Sequence, residues 1–272
     1  MLELSAPQIK ASVATRHKYL GFTDSICSTS NRIIEKALRD GKYLPREELI
    51  AELKKAKIAT DDNRASHLFL LAELDGIVCS GATKEGKYTY ALLEERVPKT
   101  KSLTREEALA TLAKKYITSH GPATLHDFVW WSGLSVKDAK HALEMVKSDF
   151  ISDTFDSQTY WFADSFSIPK PKTEGVYLLP AYDEFIISYK DRRASLPSEN
   201  HNKTVSSNGI FRPVIVVNGQ VTGLWKRAIS KDKVVVETET FKPPNKTINT
   251  LIEKAAIQYG NFLEMKTEIN PK

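Results

Sequence analysis

A chain of 272 residues is longer than one ordinary domain and reads as two or three small ones. With 41% hydrophobic and 27% charged residues and no low-complexity run, the composition is that of a soluble globular protein and excludes a disordered or fibrous one. A net charge of +5 permits a polyanionic partner without arguing for one. No apolar run approaches the ~18 residues a membrane span needs. The opening MLELSAPQIK lacks the basic and apolar regions of a signal peptide. Two cysteines, Cys27 and Cys79, cannot build a disulfide framework or a zinc site. A cytoplasmic protein without metal or cofactor is expected.

In residues 1–43, SAPQIKASVATRHKYLGF and TSNRIIEKALRDGK read as two helices. Ser5 and Ser30 are their expected caps, and Gly41 the stop of the second. Residues 44–98 follow with Pro45 at the first position of a helix that turns Leu49, Ile50 and Leu53 inward. Asp61 or Asp62 is expected to cap the next helix, whose face is Ala65, Leu68, Phe69, Ala72 and Leu74. GIVCS and KYTYALL then pair as a wing with GATKEG at its tip. With its middle helix missing, this segment reads as a degenerate winged helix.

PREELIAELKKAKI (45–58) has a counterpart in TREEALATLAKKYI (104–117), which suggests duplication of a unit of about 60 residues. In residues 101–165 the pattern is clearer. Thr104 and Glu107 form a capping box, followed by Leu109, Leu112, Tyr116 and Ile117 on one face. Thr124 and Asp127 open a second helix through LHDFVWWS, which Gly133 ends in the left-handed conformation. The Trp130–Trp131 pair reads as core filling, with base stacking as the other reading. Ser135 and Asp138 open a third helix with Ala139, Ala142, Leu143 and Val146 inward. FISDTF and QTYWFA pair through Asp156–Ser157. Three helices and a hairpin make a winged helix-turn-helix.

After the Pro/Lys linker SIPKPKTEG (167–175), strands dominate residues 175–272: GVYLLP, EFIISY, FRPVIVV, QVTGLWKRAI and KVVVETETF. Asn218–Gly219 marks a type I′ hairpin. Asn245 caps a last helix carrying Ile248, Leu251, Ile252, Ala255, Ala256 and Tyr259. The fold class is α+β: tandem winged helices, then a small β-barrel or curled sheet with a terminal helix.

AELDGIVCSG, KYTYALLEERVP, HGPATLHDFVWWSGL, LLPAYDEFIISYKDR and NGIFRPVIVVNGQVTGLWKR, in that order, resemble the winged helix DNA-binding domain family that contains the AlkZ/YcaQ-type DNA glycosylases. The resemblance runs from about Leu4 to the final helix. It implies that fold and a double-stranded DNA partner, intact or damaged. It transfers no catalytic residue: the family's Gln-x-Gln or Gln-x-Asp pair lies in a preceding winged helix, and none of Gln8, Gln158, Gln220 or Gln258 has Gln or Asp two residues on. The expectation is a fragment, or a shortened member that binds without cutting.

Among remaining carboxylates, Asp183 beside Glu184 and near Asp191 is the one catalytic candidate, against a role in ordering a turn or pairing with Arg192 or Arg193. His67, His120, His126 and His141 have no metal-ligand spacing. The DNA-contact candidates are Arg64, His67, Lys84 and Lys87 in the first unit, and Lys137, Lys140, His141 and Lys147 in the second. Arg192, Arg193, Arg212, Lys226 and Arg227 are added from the C-terminal region. Lys190 and Ser66 sit among them, and only Asn63 and Arg64 suit base readout, so weak sequence preference is expected. Three functions stand open. The first is a DNA-binding protein without catalysis. The second is an active glycosylase, or one split so that a partner chain supplies the N-terminal winged helix. The third is a protein-interaction module, which suits the acidic residues 101–165, where seven Lys and Arg face nine Asp and Glu.

Overall fold

The computed structural model describes residues 1–99, 101–165, 167 and 174–271. Of the expected linker, all but Ser167, Glu174 and Gly175 lies outside the described residues. The chain divides into two compact units, one of Met1–Lys114 with Ser132–Val146, the other of Lys115–Trp131 with Lys147–Lys272.

In chain order the first unit holds α1 (Leu2–Tyr19), α2 (Asp24–Leu38), β1 (Leu44–Pro45), α3 (Arg46–Lys55), α4 (Arg64–Leu74), β2 (Val78–Ser80), β3 (Thr89–Leu92) and the single turn α5 (Leu93–Arg96). Ile34 and Leu38 of α2, Leu49 and Leu53 of α3, and Leu68, Phe69 and Ala72 of α4 form one core with Val78 and Leu92. The inward face of α4 is the one its spacing predicts. The caps differ. Thr23, not Ser30, caps α2 by accepting from Ile26 N at 3.3 Å. Ser5 and Ser30 lie buried inside their helices, because each helix begins a turn or more earlier than its serine. Neither Asp61 nor Asp62 caps α4; its first turn follows Asn63, whose φ is +64° and whose side chain makes no cap.

The helix α6 (Arg105–His120) carries the chain from the first unit into the second. β4 (Ala123–Thr124) and α7 (Leu125–Ser132) come next, then α8 (Val136–Val146) in the first unit, and the hairpin β5 (Ile151–Phe155) and β6 (Gln158–Phe162) in the second. The capping boxes form as expected. Glu107 N donates to Thr104 Oγ1 at 3.2 Å, Asp127 N to Thr124 Oγ1 at 3.2 Å, and Asp138 N to Ser135 Oγ at 3.0 Å. Gly133 has φ +68°, and Asp156 and Ser157 both have positive φ, as a two-residue hairpin turn requires.

The element order shows a duplication in a different register from the sequence match. α2, β1, α3, α4, β2, β3 recur as α6, β4, α7, α8, β5, β6. The two three-stranded sheets share one order, β1-β3-β2 and β4-β6-β5. The counterpart of α6 is therefore α2, and α3 is the middle helix that seemed missing. PREELIAELKKAKI and TREEALATLAKKYI resemble each other because acidic residues near a helix start and lysines near its end suit the dipole of any helix.

The rest of the second unit comprises β7 (Val176–Leu179), the turn-long α9 (Glu184–Ile187) and α10 (His201–Thr204), β8 (Val214–Val217), β9 (Gln220–Ile229), β10 (Lys233–Thr240), α11 (Lys246–Phe262) and β11 (Lys266–Pro271). These strands form an open sheet in the order β11-β10-β9-β8-β7. The barrel alternative is corrected: β7 and β11 are free edges and do not meet. β11 pairs parallel to β10 after the α11 crossover. Alternation along β8 sends Ile215 into the core under α11, with Trp225, Val234, Val236, Ile252 and Ala256. Val214 and Val216 face the other way, against Ile186 and Leu196. A sheet covered on both faces explains the unbroken apolar run VIVV. EFIISY is corrected from strand to helix turn, since Asp183 caps it and Ile186 plugs the second core. Asn218–Gly219 turns the hairpin with φ of +50° and +82°, and Asn245 Oδ1 caps α11 at 2.8 Å. No helix among the described residues is long and apolar enough to cross a membrane.

Candidate nucleic-acid interface

In the second unit, one buried carboxylate ties α7 to the loop after α9. Asp127, 3% exposed, accepts from Thr124 N at 2.9 Å and Thr124 Oγ1 at 2.7 Å through Oδ2. Its Oδ1 accepts from Lys190 N at 2.8 Å and Asp191 N at 3.3 Å. Around it, aromatic donors hold the loop's carbonyls: Tyr116 OH donates to Ser188 O at 3.1 Å, and Trp130 Nε1 to Ile187 O at 2.8 Å. Tyr189 OH returns the contact to His120 O at 2.9 Å. Burial, with Asp127 nearby, pushes both Tyr116 and Tyr189 above the ordinary phenol range, so they serve as fixed donors.

Glu184 gathers three donors on one oxygen: Trp131 Nε1 at 3.2 Å, His120 Nε2 at 3.4 Å and the Ser188 hydroxyl. The Ser188 hydrogen bond holds its carboxyl below the usual range against the opposing effect of burial, with Trp131 and His120 adding to it. Arg193 grips Asp191 with two nitrogens, at 3.0 and 2.6 Å, and this pairing lowers the Asp191 carboxyl. Arg192 does something else. Its Nε donates to Ile186 O at 2.7 Å, and its guanidinium lies over the ring of Trp130 (5.1 Å) and over that of Phe211 (5.0 Å). Burial there moves the Arg192 guanidinium below its ordinary pKa. Next to this node a cleft of about 570 Å³ is lined by His120, Phe155, Tyr160, Phe185, Tyr189 and Arg193. A cavity of about 450 Å³ is lined by Lys190, Arg192, Arg193 and His201.

The sequence-predicted contacts divide into exposed and engaged side chains. Lys137 and Lys140 stand exposed on α8, opposite its buried Ala139, Ala142, Leu143 and Val146. His141 is exposed and bonded to Glu106 at 2.6 Å, and Asp138 on the same helix pairs with Arg105 at 2.9 Å. Lys147 lies exposed in the 3-10 turn after α8. Lys84 sits 3.8 Å from Glu48, and Lys87 is exposed at the β2–β3 tip. Arg64 is bound inward: it donates to Leu20 O and to Ala59 O (3.2 Å) and covers the Phe22 ring at 4.8 Å. His67 shares a hydrogen bond with His17 at 3.1 Å. Arg212 is exposed before β8, and on β9 Lys226 pairs with Glu237 at 3.2 Å and Arg227 donates to Tyr259 OH. Asp183, the catalytic candidate, accepts from Phe185 N at 2.9 Å as the cap of α9. Arg192 and Arg193 turn to Ile186 O and Asp191, not to Asp183.

A family model described as DNA glycosylase AlkZ-like matches residues 29–262. The chain belongs to the AlkZ-like DNA glycosylase family. It is 24% identical over 225 residues to the interstrand DNA cross-link repair glycosylase of Streptomyces sahachiroi, covering 77% of this chain and 60% of that relative. It thus spans about three fifths of the curated relative's length. The solved structure of the Streptomyces sahachiroi DNA glycosylase AlkZ has a similar fold, with a TM-score of 0.73 at 20% identity over 99% of this chain and 76% of that one. Within this AlkZ-like chain, reading the sequence missed the convergence on Glu184 and the second role of Asp127. Asp127 was visible as a cap, but its grip on residue 190 spans more than sixty positions and leaves no local pattern.

Proposed function

We propose that this chain binds duplex DNA through two winged helix units, in which α4 and α8 are the third helices and the β2–β3 and β5–β6 hairpins the wings. The observation that carries the reading is α8: one side buried, Lys137 and Lys140 exposed on the other, preceded by α6, β4 and α7 and followed by a hairpin. Family membership supports the partner, and the repeated strand order supports the second unit. Binding is through phosphates and weakly selective for sequence, because the exposed Lys137 and Lys140 of α8 are lysines and the one arginine suited to base readout, Arg64, is bound inward.

The reading includes no catalysis by this chain. No glutamine here has Gln or Asp two residues on, and the Asp183 carboxylate is committed to capping α9. The relative's description as a cross-link repair glycosylase makes damaged duplex the first ligand to try. Fluorescence anisotropy with intact, alkylated and cross-linked duplexes, with the same samples heated in alkali to reveal abasic sites, tests both parts. Binding without strand breaks is expected. Absence of binding at low salt overturns the partner, and breaks that grow with protein concentration overturn the statement on catalysis.

A further inference from the structure

Trp130 is 50% exposed, although the Asp127 and Phe128 just before it in α7 are buried and an indole gains much from burial. Its orientation is nonetheless fixed on two sides. The N–H edge donates to Ile187 O at 2.8 Å, and the Arg192 guanidinium covers one face at 5.1 Å. Arg192 is itself held, by Ile186 O at 2.7 Å, Lys190 O at 3.3 Å and the Phe211 ring at 5.0 Å. With the N–H edge and one face engaged, half of the residue is still open to solvent. A cation behind an indole draws on the electron density of the ring, and a rigid, flat, exposed aromatic face suits a nucleobase. Lys190 and Arg193 line the same cavity as Arg192, so cationic side chains for flanking phosphates are within the same loop; Asp191, paired with Arg193, is the opposing charge.

We infer that Trp130 is a stacking platform for one unpaired nucleobase in DNA, which would make this AlkZ-like chain prefer duplexes with a disrupted pair. The inference rests on the DNA-binding reading above. A base inside an intact stack cannot offer both its faces, whereas a mismatched or unpaired one leaves the stack at lower cost.

The test uses the whole chain and two duplexes of equal length, one fully paired and one with a central 2-aminopurine opposite an abasic site. The wild type should bind the second more tightly and quench its fluorescence. Trp130→Ala should weaken that binding by about 5- to 150-fold, the span of one base–aromatic stack, and leave the paired duplex within about 2-fold. Trp130→Leu keeps an apolar cover over Arg192 without the flat face, and should behave as the alanine variant does. Trp130→Phe should retain most of the preference. Equal losses on both duplexes in the leucine variant, or no quenching by the wild type on a duplex it binds, would overturn the platform. Failure of the wild type to bind either duplex would instead remove the DNA-binding reading on which the platform stands.

Discussion

Asp127 shows how much one side chain can decide. Replacing it by alanine removes a capping box and leaves the half-buried N–H groups of Lys190 and Asp191 without their acceptor. A lost cap and unmet donors together should cost about 3 kcal/mol. Asp127→Asn, which keeps one acceptor oxygen, should cost about half as much, and urea denaturation of the two variants checks the order. Glu184 makes a prediction in pH. Its native carboxyl is held low, chiefly by Ser188, so between the native and unfolded pKa values the unfolded chain binds more protons. Its contribution to stability is present above the ordinary carboxylate range and is lost as pH falls through the lowered native value. Ser188→Ala should raise the Glu184 pKa in a side-chain carboxyl NMR titration, and an unmoved titration would show that Ser188 is not the cause.

At the scale of elements, two contacts can be tested. α1 meets α4 through the His17–His67 hydrogen bond. Burial, and then His67, lowers the pKa of His17 from 6.5. Once α1 is released, His17 takes up a proton that the docked helix refuses. Docking of α1 should therefore be strongest above pH 6.5 and weaken as pH falls through the lowered value; Arg64, over the Phe22 ring that touches His17, and the Lys10–Asp75 pair are the other charges at this contact. Hydrogen exchange of α1 amides, corrected for intrinsic rates, should show this, and His17→Phe should abolish it. The second contact is α11 on β11. A Cβ on Gly260 would fall 1.8 Å from Thr267 Oγ1, so Gly260→Ala should destabilise by about 1–3 kcal/mol. Thr267→Ala in the same chain should restore part of the loss in a thermal melt.

Those elements also show what a sequence discloses. Thr104 with Glu107, Ser135 with Asp138, Asn218–Gly219 and Asn245 act within four residues of themselves, so their turns and caps were readable. EFIISY misled because an apolar run of strand-forming residues looks the same whether it extends or plugs a core as a helix turn. KTEINP was passed over because β11 is a polar edge that exists only beside β10. β1 and β4, two residues each, have no periodicity to find, yet they fix the register of the duplication. Of the Trp130–Trp131 pair, Trp131 packs on Tyr116 and His120 while Trp130 stays half exposed with one face under Arg192, a contact sixty-two positions away that leaves no local pattern.

For the whole molecule, one element order occurs twice along this AlkZ-like chain, and the second copy carries exposed Lys137 and Lys140 on α8 while acidic partners hold His141 and Arg105 beside them. Net charge alone would not predict a polyanion partner for the acidic stretch 101–165; the proposal rests instead on Lys137 and Lys140 lying exposed on α8 opposite its buried residues. The most direct test measures duplex affinity across a salt series for the wild type and for Lys137→Ala/Lys140→Ala. The account predicts a steep fall of log K with log salt for the wild type, with a slope shallower by about 1.8 in the variant, as two lost phosphate contacts require. An unchanged slope in a folded variant, or no binding by the wild type even at low salt, would contradict it.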